Sequence, residues 1–390
     1  MQVDDLTLKK LRDYLHHCQT DMVELLRNLA SLESPTEDLS AQSSMFHFID
    51  RCLMPIGFRS RYLRGKDSGG ICLFLPTGKW NRRNIPRKRQ LIVGHVDTVW
   101  PKGSLGKMPI HLSNGRLYGP GVFDMKGGIV QAIFALQALD WLNLRPEFKP
   151  VLLLNSDEEK GSPDSRGIVK QVASQCERAL IVEPPVGQEG LLKTERKGGG
   201  FLRLTIEGRA AHAGLNPEQG RNAIDQMILC LHQLAKIRDD YPRVTFNLGS
   251  IRGGVAANVV APDCQIEVDI RIADSSDLIS LKNRLPSIAL GGDGFTVRLE
   301  LDLERPPLER NSRNQMLWHL SKRVAQHLGF NLQETSVGGG SDGNFTSEVC
   351  ATLDGLGAVG GNAHQEDEYV VVDELPRRAA LLAAILMEKE

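Results

Sequence analysis

Short apolar runs typical of β-strands alternate with longer helical stretches along the first half of the chain, and this alternation constrains the fold most strongly. The strand-like runs are RSRYLRG, GICLFLP, QLIVGHV, VLLLNS and RALIVE. Long helical stretches such as MKGGIVQAIFALQALDWL separate the last three runs. Because strand, helix and strand in this order build parallel sheets covered on both faces, the sequence predicts an α/β domain with a mostly parallel sheet.

The pattern changes after Lys197, where FLRLTIEG alternates apolar and polar residues with a period of two. Such alternation is typical of a half-exposed antiparallel strand. A helix, two strands, a second helix and a further strand follow, so the segment reads as a β-α-β-β-α-β unit of the ferredoxin-like type. The sequence therefore predicts a second domain at 198–305, inserted into a first domain of residues 1–197 and 306–390.

Helical periodicity outside the inserted segment runs from about Leu6 to Leu32, from Ala41 to Met54, from Asn311 to Leu328 and from Leu375 onward. The three glycines Gly198 to Gly200 are interpreted as a hinge into the second domain. Two domains also suit the length of 390 residues, which exceeds what one hydrophobic core usually holds.

Charge and cysteine usage exclude several kinds of partner. Lys and Arg number 47 against 48 Asp and Glu, so nothing predicts binding to nucleic acid or to an anionic membrane surface. The seven cysteines are dispersed and lack CxxC spacing, which favours a reducing compartment. We find no secretory signal and no apolar run that approaches the roughly 18 residues of a membrane helix. The sequence predicts a cytoplasmic protein, and the basic stretch from Arg82 to Arg89 is interpreted as a solvated loop.

Five side chains of the kinds that bind metals lie at the ends of separate segments. They are His95 in GHVDT, Asp124 in GPGVFDMKGG, Glu159 in NSDEEKGS, Glu183 in LIVEPP and His364 in GNAHQEDEYV. Open α/β sheets place their sites at the edge where the strands end. We therefore expect these side chains to meet at one edge of the sheet.

Each of these residues alone also fits a purely structural role. His95 has a strand-end carboxylate two residues away, Asp124 is placed like a helix N-cap, Glu159 lies in an acidic turn, and Glu183 lies at a strand end. His364 fits a surface loop equally well. Taken together, however, five such residues favour a metal centre. Nitrogen and carboxylate ligands suit zinc, with cobalt or manganese as substitutes, and five ligands exceed one tetrahedral site, so we expect two metals.

The chain resembles the M20 family of metallopeptidases, and within it the glutamate carboxypeptidase branch of the carboxypeptidase G2 type. Related branches are acetylornithine deacetylase, succinyl-diaminopimelate desuccinylase and aminoacylase. The resemblance extends nearly from end to end and rests on GHVDTVWPKG, GPGVFDMKGG, DEEKGS, RAAHAGLNPEQGRNAI, GGVAANVVAP, VDIR, GGGSDGNF and HQEDEYV, in the order of the family. It departs from the family where Gln365 and Glu366 replace a small residue.

The resemblance implies a role for each residue of the metal centre. Asp124 would bridge two zinc ions. His95 and Glu183 would complete the ligand set of one ion, and Glu159 and His364 would complete that of the other. Glu158 would be the catalytic base. Asp97 would orient His95, and the peptide between Asp124 and Met125 is expected to be cis.

The inserted domain would, by the same resemblance, be a lid through which the protein forms a homodimer. His212 would reach the active site of the partner subunit, although the residue alone reads as part of a turn before a helix. Asn258 and Arg271 would bind the free carboxylate of the substrate, and Arg305 is a further candidate for an acidic group. Arg271 alone reads as a residue on a solvated sheet face.

The expected activity is hydrolysis of the amide that joins an acyl group to an amino acid with a free carboxylate, as in a glutamate carboxypeptidase. The substrate would be a small N-acyl amino acid or a short peptide. An N-acyl amino-acid deacylase uses the same centre and remains an alternative, and so does a catalytically inactive dimeric binding protein on the same scaffold.

Overall fold

The computed structural model describes residues 3–81 and 88–389 of the chain. The basic stretch from Arg82 to Arg89 therefore falls outside the described residues, apart from Lys88 and Arg89. Lys88 pairs with Glu177 at 3.1 Å.

Ten α-helices lie within the described residues: α1 (Asp5–His17), α2 (Gln19–Ser31), α3 (Leu39–Leu53), α4 (Gly127–Trp141), α5 (Arg166–Ala173), α6 (Ala223–Asp239), α7 (Ser275–Arg284), α8 (Ser312–His327), α9 (Gly343–Ser347) and α10 (Glu374–Met387). The strands of the same residues are β1 (Phe58–Leu63), β2 (Ile71–Pro76), β3 (Arg89–His95), β4 (His111–Ser113), β5 (Arg116–Tyr118), β6 (Lys149–Asn155), β7 (Arg178–Ile181), β8 (Leu192–Arg196), β9 (Gly198–Glu207), β10 (Thr245–Gly253), β11 (Asp263–Ile272), β12 (Thr296–Arg305), β13 (Glu334–Val337), β14 (Ala351–Leu353), β15 (Gly360–Gly361) and β16 (Tyr369–Val371).

The chain divides into two units. Unit 1 comprises Met1–Glu195, Arg310–Ser336 and Ser341–Glu390, and unit 2 comprises Arg196–Glu309 and Val337–Gly340. The boundaries expected at 197/198 and 305/306 lie within four residues of these. The segment Val337–Gly340, which the sequence analysis left in the first domain, groups with unit 2. Its Val337 accepts a hydrogen bond from the backbone amide of Lys197, and Gly339 and Gly340 accept from the side chain of Arg196.

The central sheet of unit 1 has six strands in the order β1-β2-β6-β3-β7-β14. The four strands β6, β3, β7 and β14 run parallel, whereas β1 and β2 add an antiparallel edge. Side chains of a strand point alternately to opposite faces. Ile92 and Leu152 accordingly join a core with the N-terminal helices, while Leu91 and Val151 join a second core on the other face. The predicted α/β architecture with a mostly parallel, doubly covered sheet is confirmed.

A smaller antiparallel sheet of unit 1 has the strand order β15-β16-β5-β4. Strand β5 leads directly into the turn that contains Asp124, and the loop between β15 and β16 contains His364. Because β16 pairs with β5, this sheet brings two distant segments of the chain together.

Unit 2 has an antiparallel sheet in the order β10-β11-β9-β12, with α6 and α7 in the connections. Numbered within the unit, the strands follow the order 2-3-1-4, which agrees with the predicted β-α-β-β-α-β arrangement. Apolar residues of β9, including Leu202, Leu204 and Ile206, are buried with the apolar face of α6. The alternating pattern of FLRLTIEG therefore indicated the correct type of strand.

The single N-terminal helix expected from Leu6 to Leu32 is instead two helices. The backbone leaves the helical conformation at Cys18, where φ is -82° and ψ is 3°. Apolar residues are buried on both sides of the break, with Leu15 in α1 and Met22 in α2. Because helical spacing of apolar residues continues through the break, the sequence pattern alone does not mark it.

The glycines Gly198 to Gly200 form the first residues of β9 and not a hinge. A Cβ atom at Gly199 would collide with the backbone oxygen of Ile270, and one at Gly200 would collide with that of Asp302. Gly199 also has a φ of +131°, which side-chain-bearing residues rarely adopt. These glycines are therefore required for the close approach of β9 to both neighbouring strands.

One apolar segment is longer than the sequence analysis expected. Val122–Trp141 spans 20 residues with a mean hydropathy of 1.3, which by length and composition alone would suffice to cross a membrane. Its most apolar window is 89% buried within the protein. Burial explains the continuous hydrophobicity, because nearly all of this segment, which comprises the Asp124 turn and helix α4, lies in the core of unit 1.

Candidate metal centre

Four of the predicted site residues lie where parallel strands end. His95 is the last residue of β3, Glu158 and Glu159 follow β6, and Glu183 follows β7 by two residues. The three strands are neighbours in the order β6-β3-β7 and run in the same direction. Their carboxyl ends therefore meet at one edge of the sheet, as the sequence predicted.

Asp124 reaches this edge from the turn before α4. Gly128, in the first turn of α4, approaches the backbone oxygen of Val182 so closely that a Cβ atom would collide with it. This contact holds the start of the helix against the residue that precedes Glu183. The Asp124–Met125 peptide is cis, as the resemblance implied.

Two histidines and three carboxylates form two groups that share one residue. The Nε2 atom of His95 lies 3.4 Å from Oδ1 of Asp124 and 3.6 Å from Oε1 of Glu183. The Nε2 atom of His364 lies 3.4 Å from Oδ2 of Asp124 and 3.3 Å from Oε2 of Glu159. The two carboxylate oxygens of Asp124 therefore face different groups, with His95 and Glu183 on one side and His364 and Glu159 on the other.

The donor atoms have the properties that a pair of divalent cations requires. Oε1 of Glu159 is buried and accepts no hydrogen bond from any residue that the structure describes, and Oδ1 of Asp124 is buried with Nε2 of His95 at 3.4 Å. Buried carboxylate oxygens without partners are costly, and a metal ion would compensate them. Imidazole nitrogen with carboxylate oxygen is a ligand set that suits zinc. These residues therefore fit the expected metals.

The pKa values of the cluster show that it stabilises positive charge at two points. Burial lowers the pKa of His95, but hydrogen bonding to Asp124 and Asp97 outweighs burial and raises it well above its usual value. Hydrogen bonding to Asp124 and Glu159 raises the pKa of His364 to about 10. Burial raises the pKa of Asp124, yet the two histidines hold it well below its usual range. Burial raises the pKa of Glu159.

Asp97 contacts both the histidine and the acidic turn. Its backbone oxygen lies 3.0 Å from Nδ1 of His95, whereas its carboxylate oxygen is 3.4 Å from that atom. The carboxylate accepts hydrogen bonds from the backbone amides of Glu158 and Glu159 at 3.3 and 3.2 Å, and from the hydroxyl of Thr36 at 3.0 Å. The sequence analysis expected Asp97 to orient His95. The structure adds that its side chain also fixes the turn carrying Glu158 and Glu159.

Glu158 lies beside the group formed by His95 and Glu183. Its carboxylate, one nitrogen of His95 and one oxygen of Glu183 all lie within 4.8 Å of one another. The side chain is partly exposed, unlike the fully enclosed His95. Glu158 therefore keeps an accessible carboxylate beside the candidate ligands His95 and Glu183.

Glu368 organises the Asp124 turn, and the sequence analysis did not single it out. Its buried carboxylate accepts hydrogen bonds from the backbone amides of Gly121, Phe123 and Asp124 at 3.0, 2.9 and 3.0 Å, and from the indole of Trp100 at 2.8 Å. Burial raises the pKa of this carboxyl group. Glu368 directly precedes strand β16, and its contacts with the Asp124 turn leave no signal in the sequence pattern.

Lys126 is a second residue that sequence reasoning missed. Its side chain is buried, and its ammonium group donates a hydrogen bond to the backbone oxygen of Leu32 at 3.3 Å. Burial lowers the pKa of Lys126 to about 8.

His212 and Asn258 lie next to each other in unit 2. The backbone amide of Ala213 donates to the backbone oxygen of Asn258 at 3.0 Å, and His212 forms an isolated β-bridge with Val259. Nδ1 of His212 accepts a hydrogen bond from the backbone amide of Gly214 at 3.1 Å. This bond fixes the ring and leaves Nε2 as the nitrogen that would carry a proton.

Arg271 and Arg305 flank one glycine in the sheet of unit 2. Arg271 of β11 and Arg305 of β12 both pair with Gly199 of the strand between them. The pairing of β12 with β9 shifts register between Asp302 and Arg305, so Arg305 reaches this glycine through an irregular pair. The guanidinium of Arg271 makes two hydrogen bonds of 2.8 Å with Asp269, so its fork is already paired within β11.

Comparison with known proteins agrees with this geometry. The sequence profile of peptidase family M20/M25/M40 matches residues 91–388. Carboxypeptidase G2 of Pseudomonas sp. (strain RS-16) is 27% identical over 375 residues, which cover 95% of this chain and 89% of that protein. Succinyl-diaminopimelate desuccinylase of Dechloromonas aromatica (strain RCB) is 28% identical over 382 residues, which cover 93% of this chain and 97% of that protein.

Solved structures share the fold. Aminopeptidase PepT from Bacillus cereus ATCC 10987 superposes with a TM-score of 0.77 at 20% identity, covering 95% of this chain and 98% of that one. A dinuclear metal binding peptidase of the M20 family from Bacillus subtilis gives a TM-score of 0.68 at 12% identity, covering 96% and 98%.

The family profile covers well over half of the chain, and the predicted ligands meet at one edge of the sheet. The relatives are named as a carboxypeptidase and as desuccinylases, both of which are metal-dependent hydrolases. The chain belongs to peptidase family M20/M25/M40 and is a metal-dependent hydrolase of the carboxypeptidase G2 or desuccinylase type.

Proposed function

We propose that this protein is a hydrolase with two zinc ions per chain that cleaves the amide between an acyl group and an amino acid with a free carboxylate. The observation that carries the proposal is the carboxylate of Asp124, whose two oxygens face separate groups of one histidine and one further acid. Cobalt or manganese are substitutes with the same preference for nitrogen and oxygen ligands.

Five residues would hold the metals. Asp124 would bridge, His95 and Glu183 would complete one site, and Glu159 and His364 the other. Zinc bound there would lower the pKa of a water molecule and polarise the scissile carbonyl. Asp97 would keep the base and one ligand in place through the backbone amides of Glu158 and Glu159.

Glu158 would be the general base and then the general acid. Its carboxylate would take a proton from the attacking water and return it to the leaving nitrogen, so that the proton count balances over the cycle. The negative charge that develops on the carbonyl oxygen would be stabilised by a hydrogen bond from Nε2 of His212 of the partner subunit.

The free carboxylate of the substrate would be bound by residues of unit 2. Asn258 supplies an amide donor, and Arg271 supplies a planar fork that matches a carboxylate. Arg271 would exchange its present partner Asp269 for the substrate. Arg305 flanks the same glycine and suits a second acidic group, as in glutamate.

The alternative function is deacylation of an N-acyl amino acid, as in the acetylornithine deacetylase, succinyl-diaminopimelate desuccinylase and aminoacylase types. The relative from Dechloromonas aromatica, named as a desuccinylase, supports it at an identity similar to that of the carboxypeptidase. A catalytically inactive binding protein is a weaker alternative, because the metal ligands and Glu158 are all present.

A panel of substrates tests the proposal. We expect the purified chain, supplied with zinc, cobalt or manganese, to hydrolyse at least one class among aroyl-glutamates, dipeptides, and N-acetyl or N-succinyl amino acids. The amide analogue of the best substrate, which lacks the free carboxylate, is the control and should be a poor substrate. Absence of turnover with every metal and every class contradicts the proposed function.

Unit 2 presents an apolar surface that supports a homodimer. Strand β10 lies at the edge of its sheet and exposes Leu248 and Ile251, at 47% and 59% of their surface. Helix α6 exposes Ile228 and Leu229, at 46% and 52%. An open strand edge and exposed apolar side chains favour pairing with a second copy of the chain. We propose that unit 2 is the lid and dimerisation domain.

Mixing of two inactive variants tests whether His212 acts across the dimer. We expect His212→Ala and Glu158→Ala chains to be inactive separately. After dissociation and reassembly at equal amounts, we expect roughly one quarter of wild-type activity, because half of the dimers would contain one complete site of two. Light scattering gives the oligomeric state of both variants. A monomeric wild-type chain, or no recovery in a verified heterodimer, contradicts the role of His212 in trans.

We also propose a cytoplasmic location. All seven cysteines are free in the described part of the chain, and several of them are buried. Free thiols are typical of reducing compartments. Recovery of the native protein in a periplasmic or membrane fraction would contradict this location.

A further inference from the structure

A pocket of about 450 Å³ lies in unit 1 where the parallel strands of the central sheet begin. Phe148 directly precedes β6, Arg178 begins β7 and Ala351 begins β14, and all three line the pocket. The candidate metal ligands follow the carboxyl ends of this sheet instead. Strand β6 has seven residues, so at about 3.3 Å per residue roughly 20 Å separate its two ends. The pocket is therefore no part of the metal centre.

Helix α8 supplies a second wall through one stripe of side chains. Arg313, Met316, Leu320 and Arg323 line the pocket. Their spacings of three, four and three residues place them on one face of the helix. Met316 in the middle of the stripe exposes 63% of its surface. At about 1.5 Å per residue, the two arginines lie about 15 Å apart along the helix axis, with apolar side chains between them.

The apolar part of the pocket is preformed. Phe148 and Leu317 are buried, and both line the pocket. The ring of Phe148 is held between two cations, because Cζ of Arg178 lies 5.3 Å from its centroid and Nζ of Lys88 lies 5.8 Å from it. A volume of this size falls within the range of roughly 300–1,000 Å³ found for pockets that hold drug-sized molecules. The pocket therefore suits a small organic ligand.

Positive charge at the pocket exceeds negative charge. Arg323 makes no hydrogen bond or ion pair with any residue that the structure describes. Arg313 donates to two backbone oxygens at the end of α9, at 3.1 and 3.4 Å, which are neutral acceptors. Glu177, the one acid among the described lining residues, pairs with Lys88 at 3.1 Å. A negatively charged ligand would therefore find arginines whose charge no acid of the pocket neutralises.

We propose that this pocket binds a small amphipathic anion, a ligand with an aromatic or aliphatic body and one carboxylate or sulfonate group. The body would lie against Met316 and Phe148, and the anionic group would pair with Arg323. An inorganic anion would leave the apolar surface uncovered, and a neutral ligand would leave the guanidinium without a partner. The proposal is independent of the proposed hydrolysis, because the pocket lies away from the metal centre.

The test measures binding of 8-anilinonaphthalene-1-sulfonate to the full chain by fluorescence titration. This probe joins an aromatic body to one sulfonate group. We expect saturable binding that weakens when the salt concentration is raised from about 0.05 M to about 0.5 M, because salt screens the pairing with Arg323. N-phenyl-1-naphthylamine, which has the same body without the sulfonate, is the matched neutral probe.

Two variants locate the probe. Arg323→Gln should raise Kd for the sulfonate by about 5- to 20-fold, because a charged hydrogen bond is lost, and should change Kd for the neutral probe by less than about twofold. Met316→Glu places an acid in the apolar stripe and should weaken binding of the sulfonate by at least about tenfold. Arg59→Gln is the matched control and should bind both probes as the wild type does. Arg59 is exposed on β1, the outermost strand on the side away from β14.

The outcomes separate the pocket from other apolar surfaces. Absence of binding to the wild type, or an unchanged Kd for the sulfonate in Arg323→Gln and Met316→Glu, overturns the proposal. Equal weakening of both probes in Arg323→Gln contradicts the pairing with the anionic group. Light scattering gives the oligomeric state, and a change in Met316→Glu shows that this face joins copies of the chain instead. Circular dichroism checks the fold of each variant, and Arg323→Gln keeps the test decisive if Met316→Glu does not fold. Binding is measured without turnover, so failure of the proposed function leaves this test unaffected.

Discussion

Glu158→Ala is expected to lower kcat by about 10²- to 10⁴-fold, the usual contribution of a general acid or base, while both metals stay bound. The backbone amide of Glu158 donates to Asp97, and its carboxylate lies close to the proposed ligands His95 and Glu183. Removal of the carboxylate leaves the five proposed ligands untouched, and hence only the proton transfers should be lost.

Metal analysis after dialysis, together with kcat at saturating substrate, checks this expectation. Glu189→Ala is a matched control, because Glu189 is an exposed acid of the same unit. Near-normal turnover in Glu158→Ala contradicts the assignment of the base. Loss of one metal per chain shows instead that Glu158 is a ligand. The metal content is measured for this reason, because Glu158 lies close enough to His95 and Glu183 to share an ion with them.

The residues at strand ends could be predicted because one physical rule places them. Parallel strands deliver their carboxyl ends to a common edge, so His95, Glu159 and Glu183 had to meet once the strands were recognised. Asp124 and His364 do not follow from that rule, since they reach the edge through a turn and through a loop of a second sheet. The sequence analysis expected them at this edge only because they are metal-binding residue types at the ends of separate segments, and the resemblance to a family added their roles as ligands.

Glu368 and Trp100 could not be found in this way. Their importance lies in the hydrogen bonds that one buried carboxylate accepts from backbone amides and an indole 244 to 268 positions away. No pattern of apolar residues records such a contact. The break at Cys18 and the close approach at Gly199 were missed for a related reason, because both depend on the path of the backbone and not on residue spacing.

The assignment of Asp124 as the bridging ligand predicts a distinct pattern of metal loss. Asp124→Asn should bind less than one metal per chain under conditions that saturate the wild type, because the amide keeps only one oxygen for the two groups and lacks the negative charge that they share. Glu159→Gln and Glu183→Gln should each retain about one metal, since each removes a ligand from a single group. Turnover of Asp124→Asn should fall to background, the largest effect expected of any single substitution here.

The three variants are matched controls, because each replaces a carboxylate of the same site by an amide of the same shape. Differences in their metal content therefore report the position of the residue and not the type of substitution. Circular dichroism must show an unchanged fold, which we expect because the amide removes a buried charge that costs free energy without its cations. Native mass spectrometry distinguishes a sample in which each chain binds one ion from a mixture of chains with no ion and chains with two ions. If Asp124→Asn retains as much metal as the wild type, then Asp124 does not bridge two ions. The opposed oxygens of its carboxylate, at 3.4 Å from His95 and 3.4 Å from His364, would then not reflect a bridge.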